Sequence, residues 1–240
     1  MLEFETFVYL DLQKTGSTFI CHLLRTYSIE KEISFSRHDG VGSQFHPEKF
    51  HFISIRNPLD QYLSLYAYGC RGKGSLFARL QKRGQGHLYD SSWSAFERWL
   101  EFVLDSENAI LLDGQYGRQS ALPGLVGFQT YRFLELAILN PATCLNACRT
   151  EDDVRRIFAS ESLIKFVIRH ERFNADMEEL LRGPIRGAIS DLEGALVFLA
   201  SGRKMNASRG ERICPDNGSP SRIGRLLQSR EWLLQELFGY

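Results

Sequence analysis

The sequence predicts an α/β fold, and three observations carry that prediction. Short apolar stretches rich in Phe, Val, Tyr and Ile, over residues 4–12, 50–55 and 163–168, alternate with segments whose apolar residues recur at helical spacing. The first two stretches end abruptly in polar turns that lead straight into a helical pattern, as βαβ units around a parallel sheet require. A chain of 240 residues with 43% hydrophobic content also has the material for a substantial core, since a domain of this size buries on the order of 70% of its unfolded surface.

The elements follow in order. Residues 4–12 read as the first strand, stopped by Gln13-Lys14-Thr15-Gly16-Ser17-Thr18, and residues 19–27 as the first helix. Residues 32–35 and 50–55 read as the next strands. Asn57-Pro58 then starts a helix over 59–68, because proline's missing N–H costs nothing at the first helical position. Residues 69–90 mix glycine, basic and large apolar residues, which suggests an irregular excursion or a short helix. Helical spacing returns over 93–104 and 131–139, separated by Gly- and Pro-containing turns at 114–127, and again at 152–158. A late strand over 163–168, helices over 173–181 and 189–199, a Gly/Asn/Ser-rich loop at 201–221 and an amphipathic end complete the chain. The expectation is one domain spanning 1–240, with residues 69–150 as a helical insertion into the α/β core.

Charge narrows the partners. Lys and Arg number 29 and so do Asp and Glu, which argues against a long electrostatic track on nucleic acid, where a cationic excess must displace counterions. The zero total conceals segments of opposite sign. Residues 69–89 hold five basic side chains and no acid; residues 201–230 hold seven against Glu211 and Asp216; residues 90–115 hold six acids and only Arg98. The two basic stretches either form solvated faces or serve an anionic ligand. The five cysteines have neither a paired framework nor zinc spacing and read as reduced thiols. Met1 to Leu12 lacks the form of a signal peptide, and no apolar run approaches the roughly 20 residues of a membrane span. The expectation is a soluble, cytoplasmic protein in which the sequons at Asn206 and Asn217 carry no glycan.

Two motifs carry chemistry. A strand running through Lys14-Thr15-Gly16-Ser17-Thr18 into a helix makes an anion seat: the first helical N–H groups are unpaired, the dipole is positive there, Gly16 admits close approach, Ser17 and Thr18 add hydroxyls, and Lys14 adds a full charge. It is not a Walker A loop, because the lysine precedes Thr-Gly instead of following the second glycine. The second motif is Arg56-Asn57-Pro58 at the end of a strand, with Ser64 eight residues beyond Arg56. There a guanidinium reaches the carboxyl edge of the sheet, where open α/β sheets bind ligands. Taken alone, Arg56 can equally pair with Asp60.

Together the motifs resemble the sulfotransferases that use 3′-phosphoadenosine 5′-phosphosulfate. That family's 5′-phosphosulfate loop has a Lys-Thr-Gly core, and its 3′-phosphate site is a strand ending in Arg-Asn-Pro with a serine about eight residues on. The resemblance extends to Val167-Ile168-Arg169-His170-Glu171, to Asn206-Ala-Ser-Arg-Gly and to the terminal Leu237-Phe238-Gly239-Tyr240, while residues 69–150 match nothing comparable. Gln13 stands where the family often has proline, which puts loop rigidity in question. The resemblance implies a three-layer α/β/α fold of the P-loop nucleotide-binding type and this phosphosulfate donor as co-substrate. It implies donor contacts from Gln13, Lys14, Thr15, Gly16, Ser17, Thr18, Arg56, Ser64, Arg209 and Gly210, with Arg203 and Lys204 as alternatives in the last loop.

In sulfuryl transfer, negative charge grows on the leaving oxygen, so a cation held there lowers the barrier; the resemblance gives Lys14 that role. The acceptor hydroxyl also needs a base. His38 follows the second candidate strand and has an imidazole suited to neutral pH; His46 is the second choice, and Asp39 a candidate to orient His38. No metal cluster is visible in the sequence. The acceptor is expected to be a carbohydrate or small metabolite, with the basic stretch at 69–89 favouring an anionic glycan. The alternatives are a P-loop nucleotide kinase and a non-catalytic nucleotide- or glycan-binding relative.

Overall fold

The described residues form an α/β chain with a five-stranded mixed sheet and many helices. A computed structural model of the protein describes residues 1–41, 45–201 and 220–240. In chain order its elements are β1 (Leu2–Glu3), β2 (Phe7–Leu10), α1 (Ser17–Tyr27), β3 (Ser34–Phe35), β4 (Phe50–Ile55), α2 (Pro58–Gly69), α3 (Ser75–Lys82), α4 (Trp93–Leu104) and α5 (Ala109–Leu112). There follow α6 (Leu122–Leu125), α7 (Phe128–Ala137), α8 (Pro141–Ala147), α9 (Glu151–Glu161), β5 (Phe166–Arg169), α10 (Phe173–Arg182), α11 (Leu192–Ala200), α12 (Pro220–Arg230) and α13 (Trp232–Phe238). The chain divides into two compact units. The first holds the described residues of Met1–Arg56, Glu135–Asn140 and Glu161–Ala207; the second holds those of Asn57–Leu134, Pro141–Ser160 and Ser208–Tyr240.

The first unit contains the sheet, in the order β3-β1-β2-β4-β5. β2, β4 and β5 are parallel, with Leu10 opposite Ile53 and Ile55 opposite Arg169. β1 is antiparallel to both β2 and β3, so the sheet is parallel at β2-β4-β5 and mixed at its other edge. Phe7, Tyr9, Phe52 and Ile168 share a face and pack with Ile20, Leu23 and Leu24 of α1, Met177 and Leu180 of α10, and Leu199 of α11. The alternate residues Val8, Leu10, Ile53 and Ile55 are buried as well. Burial on both faces explains why these strands read as continuous apolar runs without polar alternation.

The start of the chain departs from expectation. The strand expected over 4–12 is present as β2 over 7–10, but it is shorter and forms the second arm of a hairpin: the chain reverses after β1, and the Phe4 N–H donates to the Phe7 carbonyl over 2.9 Å. Partners remote in sequence fix this reversal. Lys49 Nζ reaches Glu3 Oε1 at 2.7 Å and the Phe4 carbonyl at 2.8 Å, and Ser34 donates to the other Glu3 oxygen over 2.7 Å. Phe4 stacks on Phe7 with ring centroids 4.5 Å apart.

The second unit is helical. Asn57 Oδ1 accepts from the Leu59 N–H over 3.0 Å and so caps α2 where Pro58 was expected to start it. Aromatic rings from α2 and α4 form the core: Tyr66 and Tyr62 lie 5.2 and 6.1 Å from Trp99, which is fully buried. The basic excursion contains the short α3, and the acidic stretch after it answers part of that charge, since Arg79 pairs with Asp113 at 3.2 Å. α8 was not anticipated. Among the described residues no helix is long and apolar enough to cross a membrane.

Candidate functional site

β2, β4 and β5 run in one direction. β3 shares that direction, because it is antiparallel to β1, which is itself antiparallel to β2. Everything that directly follows these strands therefore lies at one edge of the sheet. At this edge the first unit brings together the loop 11–16, His38, Arg56 and Arg169. His46 precedes β4 and so belongs to the opposite edge, where it is exposed and pairs with Glu48 at 3.1 Å. Topology thus favours His38 over His46.

The loop is held by an ordered set of hydroxyls. Thr15 Oγ1 donates to the Leu12 carbonyl over 2.7 Å. A carbonyl only accepts, so Thr15 spends its one proton there; Ser54, 2.6 Å away, must donate to Thr15, and Tyr9, 2.6 Å from Ser54, must donate to Ser54. Burial pushes the Tyr9 phenol well above its ordinary value, which keeps this chain neutral. A buried link to β4 thus holds this loop, with Gln13 and no proline at its start. Thr15 is fully buried, and its hydroxyl is committed to the fold and not to a ligand.

Gly16 caps α1 at φ 97°, a left-handed conformation glycine adopts without strain. A Cβ there would also stand 3.0 Å from the Phe173 ring. No side chain caps this helix and no acid lies in its first turn. Lys14 has φ 67°, costly for a residue with a side chain. Strain of this kind persists only where surrounding structure overdetermines it, as the Thr15 anchor does here. Gln13 and Ser17 are half-buried and Thr18 is exposed.

Arg56 follows the last residue of β4 and is half-buried. On the neighbouring strand Arg169 adds a second guanidinium; its Nε is buried and has no hydrogen-bond partner among the described residues, while its backbone N–H donates to Asp176 over 2.8 Å. His38 has φ 59°, and its Nδ1 lies 2.9 Å from the Asp11 carbonyl oxygen and 3.3 Å from Asp11 Oδ1. Asp39, a candidate to orient His38 despite its adjacent position, accepts from the Ser36 hydroxyl over 2.8 Å.

Asp11 was missed. Its signal was present as an acid inside the apolar run Tyr-Leu-Asp-Leu, where an unpaired charge would be expensive. It is 2% exposed. Burial alone pushes its carboxyl up, but the neighbouring His38 and Ser17 side chains outweigh that and hold it below the usual carboxylate range, although its Oδ1 makes no hydrogen bond among the described residues.

Of the remaining expected site positions, one lies in the other unit and the rest are not described. Ser64 lies in the middle of α2, in the second unit, half-buried. Arg209 and Gly210, like Arg203 and Lys204, lie outside the described residues. Among the described residues no group of three or more His, Cys, Asp or Glu side chains is placed to hold a metal ion. No family model matches the chain, and no curated protein or solved structure is significantly similar to it.

Proposed function

We propose that the chain is a sulfotransferase that moves a sulfuryl group from 3′-phosphoadenosine 5′-phosphosulfate to an acceptor hydroxyl of a carbohydrate or small metabolite. The observation that carries this reading is the joint presence, at one edge of the sheet, of Lys14 beside the glycine-capped start of α1, Arg56 at the end of β4, and His38 past β3. Such an edge suits a ligand with two separated anionic groups and an adjacent hydroxyl. The donor supplies the sulfuryl group and a phosphate leaving group. Lys14 and the first N–H groups of α1 would hold the 5′-phosphosulfate, Arg56 would answer the 3′-phosphate, and His38 would take the acceptor proton. The finer fold reading, a three-layer sheet of P-loop nucleotide-binding type in a cytoplasmic protein, belongs to the same proposal.

The 3′-phosphate separates this donor from ATP, which gives the direct test. Thermal shift and calorimetry should find that 3′-phosphoadenosine 5′-phosphate stabilises the protein and binds more tightly than ATP. Equal response to both, or a preference for ATP with magnesium, would replace this reading with a nucleotide kinase. Donor binding with no turnover over a broad acceptor panel would leave a non-catalytic relative.

A further inference from the structure

We propose that Arg169 is a second oxyanion-binding residue at this edge of the sheet, standing beside Arg56 and reading a phosphate group of the ligand. β5 is an outermost strand, and Arg169 is its last residue. In register it lies opposite Ile55, so Arg56 is the next residue along the neighbouring strand, and adjacent strands are only about 4.8 Å apart. Two permanently charged side chains therefore start from neighbouring positions at one end of the sheet.

The charge of Arg169 is not answered from within. The residue is half-buried; among the described residues its buried Nε has no hydrogen-bond partner and its guanidinium forms no ion pair. The acid beside it is committed elsewhere. Asp176 accepts the Arg169 backbone N–H over 2.8 Å with one oxygen and stands 3.6 Å from Arg172 Nε with the other. Arg230, also half-buried, shows the opposite treatment, with its nitrogens donating to the Leu104, Gly124 and Val126 carbonyls over 2.8 to 3.0 Å. A shielded, unsatisfied donor on a permanent cation costs free energy, and an oxyanion ligand removes that cost. Arg169 also borders a cavity of about 370 Å³ with Lys165, Arg172, Asp176 and Glu179, which gives a ligand access to it.

Sheet order indicates which group the ligand offers. From β3 to β5 the edge carries His38, then Lys14 with the start of α1, then Arg56, then Arg169. Arg169 thus lies at the end farthest from the proposed base and next to the guanidinium proposed for the 3′-phosphate. On the sulfotransferase reading, on which this assignment rests, the two arginines share that phosphate. Arg169 is then a specificity-determining residue that separates the donor from nucleotides without a 3′-phosphate.

Calorimetry with 3′-phosphoadenosine 5′-phosphate and with adenosine 5′-monophosphate tests this on the full chain. Arg169→Met should weaken binding of the first about 10- to 100-fold, as loss of charge-assisted hydrogen bonds does, and change binding of the second less than about twofold. Arg169→Lys keeps the charge and loses the planar fork, so it should fall between Arg169→Met and wild type. Equal losses for both nucleotides in variants that keep the wild-type circular dichroism would overturn the assignment. A second measurement needs no nucleotide: inorganic sulfate should raise the unfolding midpoint of wild type more than that of Arg169→Met. An equal response in the two proteins overturns the anion role whatever the reaction proves to be. Failure of wild type to distinguish the two nucleotides would count against the sulfotransferase reading and leave the sulfate comparison to decide Arg169.

Discussion

The starts of α1 and α7 face the same physical problem and answer it in opposite ways. Each helix begins with unpaired N–H groups and the positive end of a dipole. At α7 the chain supplies its own anion. The fully buried Glu231 accepts from the Thr130 N–H at 2.8 Å, the Thr130 hydroxyl at 2.6 Å, the Gln129 N–H at 3.3 Å and the Tyr62 hydroxyl at 2.5 Å. At α1 the first turn holds no acid, the cap is a left-handed glycine, and a lysine stands two residues before it, while the neighbouring Asp11 carboxyl is drawn to the Ser17 side chain. A helix start closed by an internal carboxylate is a fastening. One furnished with glycine and lysine is suited to an anion from outside. The difference makes α7 a helix start fastened from within and leaves α1 as the candidate seat for an anion.

That contrast can be broken by substitution. Lys14→Ala should lower sulfuryl transfer on the order of 100- to 1000-fold, the usual result of losing one preorganised charge-stabilising donor. Its unfolding midpoint should stay near wild type. Retained activity would remove Lys14 from the mechanism, and a large loss of stability would make α1 a fastening like α7.

Glu231→Ala should do the reverse, destabilising the fold by about 3 kcal/mol, because buried donors would lose their shared acceptor. Denaturant titration measures this directly. Burial pushes the Glu231 carboxyl up, against the hydrogen bonds from Thr130 and Tyr62 that favour the charged form. A raised carboxyl binds its proton more tightly in the folded state than in the unfolded one. Its contribution to stability should therefore decline as pH rises from the ordinary glutamate value of 4.5 through the raised folded value. Glu231→Gln should abolish that part of the pH slope, and an unchanged slope would assign it to other groups.

Thr15→Val keeps the shape of the side chain and removes the hydroxyl, so the Leu12 carbonyl and the Ser54 hydroxyl each lose a partner. The smallest of these effects, about 1 to 2 kcal/mol of stability with a modest rise in nucleotide dissociation constant, should follow. Unchanged stability would show that the loop holds its strained Lys14 without the link to β4.

Much of this contrast was legible before the fold. The Lys-Thr-Gly-Ser-Thr turn between an apolar run and a helical one marks α1, and the Asn57-Pro58 pair marks α2, because both signals act through neighbours on the chain. The helix Trp93–Leu104 was readable to its ends from apolar spacing alone. The residues that gather at the candidate edge were legible in Lys14, Gly16, Arg56 and His38. Asp11 was not, and neither was the commitment of Thr15 to Ser54, since each partner lies on a different strand or loop.

Local sequence thus determined which segments form strands and helices, through backbone preferences, capping residues and the 3.6-residue period. Tertiary structure alone decided the reversal of the chain at Phe4, the meeting of His38 with the Asp11 carbonyl, and the closing of α7 by Glu231, which meets Tyr62 across 169 positions. Those outcomes depend on buried polar groups finding partners far along the chain. Residue patterns show that such a group needs a partner; the folded contacts decide which one it gets.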